Sequence, residues 1–467
     1  MFSLSPRQVH LDFHTSPAIE GIGSRFSREN FAEALRLGEL TSITVFAKCH
    51  HGVCYYPTKV GEQHPHLSFD LTGEMIAAAH SVGVRAPVYI TAGWSARDAA
   101  AHPEWWQRNR DGGIYGNVDL NAKPDDRRPY CSWITLCLND GSYAQHIYAL
   151  TREISERYAD LDGLFYDICF IGDMCLCDEC RAGMKAMGLN PELDSDARKY
   201  FIIKRRDFMR KCGEILRERH PDASIFFNGG AEQYRPQYHD LQSHFELEDL
   251  PTAWGGYDKM PPRAKFFAAS GKDYLGMTGK FHMDWGEFGG FKTGLAMKFE
   301  AAAMLTYGAR CSIGDQLHPD GEMDLETYRN IGEAYGYVKK IEQYCLDGEQ
   351  TTTLGLYLSG DGGADDGAVK LLLESQYDFD IVSNDDYSRF DTVVFPDYVK
   401  LDDKGTEKLR EFISRGGKVL FCGESLLSDG ENRDFIIDAG IKYAGSYGFD
   451  NDYITVGEQM SRDMVTS

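Results

Sequence analysis

Short apolar, β-branched runs alternate with stretches of helical period from the N-terminus to about residue 346. The runs Val9 to His14, Ile43 to Ala47, Val84 to Ile90, Gly163 to Ile168, Ala223 to Phe227, Ser243 to Leu247, Leu275 to Phe281 and Ala309 to Ile313 read as strands. Helical patterns fall between them. One begins after Ser27 with Phe31-Ala32-Glu33-Ala34-Leu35, and longer ones run from Tyr143 to Tyr158 and from Ser195 to Arg219. Eight repeats of strand then helix predict an α/β fold, a parallel sheet closed into a (β/α)8 TIM barrel.

After Tyr344 the alternation restarts. Thr353 to Leu358 reads as a strand, Gly367 to Ser375 as a helix, Phe390 to Pro396 as a strand and Asp403 to Ser414 as a helix. A last strand follows in Gly416-Gly417-Lys418-Val419-Leu420-Phe421-Cys422. This is the pattern of a smaller, doubly wound, flavodoxin-like α/β domain. The expected organisation is therefore a barrel over 1–347, a second domain over 348–445, and a tail over 446–467 without clear periodicity.

Length and composition fit this layout. The chain has 467 residues, 42% of them hydrophobic and 26% charged, enough apolar material for a large core. A formal charge of −23 argues against nucleic acid as a partner, since phosphates need basic clusters. The N-terminus Met1-Phe2-Ser3-Leu4-Ser5-Pro6 has no charged segment followed by an apolar one, and no apolar run approaches membrane-spanning length. The expected location is thus cytoplasmic, with no membrane partner. In that compartment the 12 cysteines are expected as thiols or metal ligands rather than disulfides.

Chemistry in a barrel of this kind sits at the carboxyl ends of the strands. The first strand ends Asp12-Phe13-His14-Thr15. The second ends in paired imidazoles, His50-His51, suited to sugar hydroxyls because each ring can donate or accept a hydrogen bond. The third ends near Trp94. The fourth carries Asp167 inside an apolar run, a costly place for an acid without a purpose. In the sixth, period-two alternation puts Glu246 and Glu248 on one face. The seventh carries His282, Asp284, Trp285 and Glu287, and the eighth Asp315, Gln316 and His318. Carboxylates, histidines and tryptophans together are what a glycoside hydrolase needs: a nucleophile or base, an acid for the leaving oxygen, and rings to stack on the sugar. The same acids could hold a divalent metal instead.

These residues carry a family resemblance. Phe46-Ala47-Lys48-Cys49-His50-His51-Gly52, followed by Tyr56-Pro57-Thr58-Lys59, resembles the Ala-Lys-His-His-Asp-Gly-Phe … Trp-Pro-Ser-Lys signature of family 29 α-L-fucosidases. Phe13-His14 resembles their Phe-Ile-His-Trp-Gly, and Phe165-Tyr166-Asp167 their Trp-Phe-Asp-Gly. Glu246 followed by Trp254-Gly255-Gly256-Tyr257 is similar to a Trp-Glu … Trp-Gly-Tyr stretch. Gly52 and Ile168 depart from the family 29 pattern. The closer likeness is to the family 151 α-L-fucosidases of the hypothetical glycosyl hydrolase type. It is carried by His10 to Ser16, Ala47 to His66 and Ser312-Ile313-Gly314-Asp315-Gln316-Leu317-His318-Pro319.

The resemblance implies a retaining, exo-acting α-L-fucosidase that acts on a fucosylated oligosaccharide or glycoside. Asp167 would be its nucleophile and Glu246 its acid/base, with Glu248 as the alternative. His14, His50 and His51 would bind sugar hydroxyls, with Trp94, Trp254, Asp284 and Trp285 completing the substrate site. Galacto-configured glycosides, a lapsed carbohydrate-binding barrel and a zinc- or magnesium-dependent hydrolase are the competing expectations. The second domain resembles the β-galactosidase trimerisation domain through Val394-Phe395-Pro396 and Ser414 to Val419, which implies a homo-oligomer.

A cysteine cluster, Cys175-Leu176-Cys177-Asp178-Glu179-Cys180, stands apart. Three thiolates at this spacing can converge on a structural zinc, which wants a fourth ligand. Cys137 is the expected fourth, with Cys131 and Cys169 as rivals. The arrangement resembles the zinc site of family 42 β-galactosidases. No cofactor is expected for catalysis itself.

Overall fold

The computed structural model describes residues 3–117, 133–254, 256–429, 433–446, 448 and 457. The chain divides into two compact units, one ending at Gln350 and the other starting at Thr351.

The first unit carries eight parallel strands: β1 (Arg7–Asp12), β2 (Ser42–Lys48), β3 (Val88–Thr91), β4 (Gly163–Asp167), β5 (Ser224–Phe227), β6 (Phe245–Leu247), β7 (Tyr274–Gly279) and β8 (Arg310–Gln316). Their hydrogen-bonded order is β6-β7-β8-β1-β2-β3-β4-β5. This is the expected barrel, laddered at every joint but one. Between β5 and β6 the main chain alone does not make the connection. Ile225 N–H donates to Ser243 Oγ at 2.9 Å and Phe227 N–H to Gln242 Oε1 at 3.0 Å, while Ser243 N–H donates to the Ile225 carbonyl. Side chains thus satisfy donors that a neighbouring strand would otherwise take.

Helices cover the outside of the sheet. Those that matter for the site are α1 (Arg28–Leu37), α2 (Leu71–His80), α3 (Ala96–Ala101), α4 (Ser142–Arg157), α5 (Asp178–Ala186), α6 (Asp194–Arg217) and α7 (Met260–Ala268), followed by α8 (Gly294–Thr306) and α9 (Leu325–Cys345). Ser27 caps α1 by accepting from the Asn30 N–H, as its position before the apolar stripe predicts. The strands are buried along their whole length, as a parallel sheet covered by helices requires, and β4 and β5 read as apolar runs while β1 and β8 carry buried polar residues.

Two strand boundaries differ from the sequence reading by more than two residues. β3 begins at Val88 rather than Val84, because Pro87 has no N–H to complete a ladder. β8 continues through Gly314-Asp315-Gln316, pairing with His10, Leu11 and Asp12 of β1, although its polar composition suggests a loop.

In the second unit four parallel strands, β9 (Leu354–Leu356), β10 (Asp380–Ile381), β11 (Thr392–Phe395) and β12 (Lys418–Phe421), order as β10-β9-β11-β12. With α10 (Gly362–Glu374) and α11 (Asp403–Ser414) they enclose a small core that includes Val393, Phe395, Val399, Leu409 and Phe412. The doubly wound expectation holds, with one edge strand, β10, too short for its sequence to announce. Among the described residues no helix is long and apolar enough to cross a membrane.

Candidate active site

A cavity of about 540 Å³ opens among the carboxyl ends of the strands of the first unit. Asp12, His14, His50, Trp94, Asp167, Glu248, Asp284 and Trp285 line it, together with His10, Tyr89, Asn228 and Gln316.

Asp167 is the last residue of β4, and its carboxylate is held from three sides. Tyr89 Oη donates to Oδ2 at 2.6 Å, Asn228 Nδ2 to Oδ1 at 2.9 Å, and the Ile168 N–H to Oδ1 at 2.7 Å. Burial, and then the Asp167 charge, push the Tyr89 hydroxyl far above its ordinary range, so it stays a donor. The strand ends abruptly here. Ile168 has φ of +57°, an unfavourable setting for a β-branched residue. Its carbonyl lies so close to Gly93 that a Cβ there would sit 1.9 Å from the oxygen.

Glu248 follows β6 and faces Asp167 across the cavity. Asn228 Nδ2 also donates to its Oε2, at 3.0 Å, and Trp285 Nε1 donates to its Oε1 at 2.9 Å. One amide nitrogen therefore touches both carboxylates, so these oxygens lie no more than about 6 Å apart. A pair of carboxyl groups about 5–5.5 Å apart is the retaining arrangement. Burial, and after it the Asp167 charge, raises Glu248 above the usual carboxylate range; the Asn228 and Trp285 hydrogen bonds act the other way. A raised Glu248 is what a proton-donating acid requires.

The histidines supply the opposite wall. Thr91 spends its hydroxyl proton on the Trp94 carbonyl at 2.9 Å, so at 2.7 Å from His50 Nδ1 it acts as acceptor. That fixes the proton of His50 on Nδ1. Nε2, 3.7 Å from Asp167 Oδ2, is left as a bare acceptor. Burial, followed by the neighbouring His14, holds His50 well below the ordinary imidazole range, consistent with a neutral ring. His14 stacks on His50 at 4.0 Å, with Nε2 3.0 Å from Asp12 Oδ1. Burial opposes a charge on His14, and Asp12, with a smaller contribution from Cys49, more than offsets it and raises the ring to about 10. The His50 N–H, however, donates to His14 Nδ1 at 3.1 Å and needs that nitrogen bare. The second effect governs, because a main-chain N–H cannot turn away; the proton sits on Nε2, toward Asp12.

Three residues expected in the site do not line this cavity. Glu246 lies one layer deeper, accepting from Gln8 Nε2 at 3.3 Å and paired with His244 at 2.9 Å. Period-two alternation fixes its face and not its depth. His51 packs edge-on against Trp133, and Trp254 reaches Asp284 Oδ1 through its indole N–H at 3.4 Å. Conversely, sequence reasoning missed Tyr89 and Asn228. A tyrosine in an apolar strand reads as core, and Asn228 before Gly229-Gly230 reads as a turn. The one available signal for Asn228 is its place directly after the fifth apolar run.

Away from the cavity, Cys137, Cys175, Cys177 and Cys180 are all buried, and their sulfurs lie within 4.8 Å of one another. Cys169 is buried elsewhere and Cys131 lies outside the described residues. Asn139 Nδ2 donates to Cys180 Sγ at 3.5 Å, and buried Arg205 lies behind Asn139 at 3.4 Å. Four converging thiols with a polar outer layer fit a tetrahedral structural metal such as zinc.

Residues 27–168, the span from α1 to the end of β4, match the family model described as "Hypothetical glycosyl hydrolase 6". Among solved structures, α-L-fucosidase isoenzyme 2 from Paenibacillus thiaminolyticus is 38% identical over 91% of this chain, with a TM-score of 0.84. The chain is homologous to an α-L-fucosidase. This bears out the likeness carried by its histidine and aspartate motifs. The chain spans 64% of the length of that fucosidase. β-Galactosidases from Bacillus circulans sp. alkalophilus and from Halorubrum lacusprofundi share the fold at 12% and 14% identity. Their TM-scores are 0.67 and 0.63, covering 90% and 91% of this chain and 71% and 74% of theirs. No curated protein matches by sequence.

Proposed function

We propose that this glycosyl hydrolase homologue releases terminal α-L-fucose with retention. Asp167 attacks the anomeric carbon and forms a glycosyl-enzyme ester. Glu248, rather than Glu246, protonates the departing oxygen and then takes the proton of the incoming water. The observation that carries this reading is Asn228, whose single amide nitrogen joins the two carboxylates at a spacing suited to a covalent intermediate.

Substrate recognition follows from the protonation pattern. A sugar hydroxyl would donate to the bare Nε2 of His50, with Asp12 and His14 beside it. Such groups discriminate strongly, since a substrate lacking the matching hydroxyl leaves a buried polar atom unpaired. Phe165, Met277 and Trp285 offer apolar surface for a 6-methyl group. A methyl pocket excludes a hydroxymethyl only modestly, so galactosides of matching stereochemistry are the natural competitors. We read the cysteine cluster as a structural zinc site and the second unit as an assembly module.

Asp167→Ala is expected to abolish nitrophenol release from the aryl α-L-fucoside, with activity partly restored by azide and capture of a fucosyl azide. An unchanged rate in that variant would remove the nucleophile assignment. NMR of the first anomer released should show α-fucose.

A further inference from the structure

Trp285 enters the barrel interior from the segment after β7. Its six-membered ring lies over Gly314 of β8, where a Cβ would stand 2.4 Å from Cζ3 and 2.6 Å from Cη2. The same indole packs against His10 at 5.5 Å and Phe281 at 5.5 Å. The segment carrying it is tied down. Glu287 Oε2 accepts from the N–H groups of His282 and Met283 at 2.8 and 2.9 Å, and Asp284 Oδ1 accepts from the Trp285 N–H at 2.8 Å. At the other end of the indole, Nε1 donates to Glu248 Oε1. The ring is thus clamped at one edge and bonded to a carboxylate at the other.

We propose that Trp285 is the positioning residue of the acid/base: a slot left by the absent side chain of Gly314 seats the indole, and its N–H fixes one Glu248 oxygen so that the other is turned toward Asn228 and Asp167. This rests on the reading of Glu248 as acid/base. It gives Trp285 a task beyond serving as a wall for the sugar. An N–H donated to a carboxylate favours its ionised form, so the indole also holds back the rise that burial imposes on Glu248. The other groups facing Glu248 are Asp167 from β4, the adjacent Asp249, Lys259, and Arg263 from α7. The last two donate to its main-chain carbonyl at 3.3 and 2.9 Å. None of these touches Oε1, so the indole is the group whose removal changes that oxygen.

The test is the pH profile of kcat/KM for the intact chain carrying Trp285→Phe, which keeps an aromatic ring and loses the N–H. Glu248 must be protonated to act as acid, so activity falls as pH rises through its pKa. Loss of the donor should move this alkaline limb upward by roughly one pH unit. A fucoside with a poor leaving group should slow more than an activated aryl fucoside. If Trp285 is only a wall, both substrates lose rate equally and the limb stays in place, which overturns the proposal. Gly314→Ala should move the limb in the same direction, and a wild-type profile there would overturn the slot. Glu248→Gln separates the two readings. It should lower kcat/KM far more for the poor leaving group than for the activated one, and lower kcat on both because the incoming water loses its base. Equal, wild-type rates on both would sink the acid/base assignment itself, whatever Trp285 does.

Discussion

At the scale of single residues, the site depends on one neutral amide. Asn228 donates to both acids, so its loss strips a hydrogen bond from each at once, and the one to ionised Asp167 is charge-assisted. Such bonds contribute about 1.5–3 kcal/mol apiece. Asn228→Ala is expected to lower kcat/KM on the order of 10- to 100-fold and to lower the urea midpoint as well, since two buried acids lose a donor; steady-state kinetics and denaturation on the same preparation check both halves. Residues whose chemistry clashes with their surroundings are legible in the amino-acid sequence itself. Asp167 stands out in an apolar run, His50 at a strand end, and Cys137 as a partner for three clustered thiols. Asn228 and Tyr89 do not stand out, because an amide before two glycines and a tyrosine in a strand are ordinary. Glu246 is misplaced in depth by its pattern, since depth depends on where its strand begins relative to the rim.

At the scale of elements, the turn that ends β4 is the critical piece. Ile168 takes a positive φ, and its carbonyl rests against Gly93 just after β3. Gly93→Ala would force backbone atoms apart, costing about 1–3 kcal/mol or more, since main chain cannot swing aside like a flexible side chain. The urea midpoint should fall accordingly, and fucoside hydrolysis should fall with it because Asp167 precedes the displaced carbonyl. An unmoved midpoint would contradict the contact. The order of strands and helices is readable from the chain because short apolar, β-branched runs differ sharply from stretches of period 3.6. Ends of strands are less so. β8 runs on through Gly314-Asp315-Gln316, where tertiary pairing with β1 outweighs a loop-like composition.

At the scale of the molecule, the two units are visible as a restart of the pattern, and the cysteine cluster as a separate structural device. It joins the chain before α4 to the start of α5. With zinc bound, metal analysis should return one zinc per chain, and Cys177→Ser should lower both zinc content and melting temperature. Chelation should then reduce activity only in step with loss of fold; activity that magnesium restores without zinc would point to a metal in the mouth instead. The joint between β5 and β6 bears on the reaction in a different way. Asn228 stands just beyond one side of it and Glu248 just beyond the other, and Gln242 and Ser243 bridge it below. The gap between the Asp167 and Glu248 oxygens, proposed as attacking and proton-donating, is therefore measured across the barrel's least stitched edge. If that edge relaxed by a few ångströms, the separation would enter the range that admits a water between the acids. Under the proposed mechanism, stereochemical outcome would be a property of two bridging side chains as much as of the acids themselves.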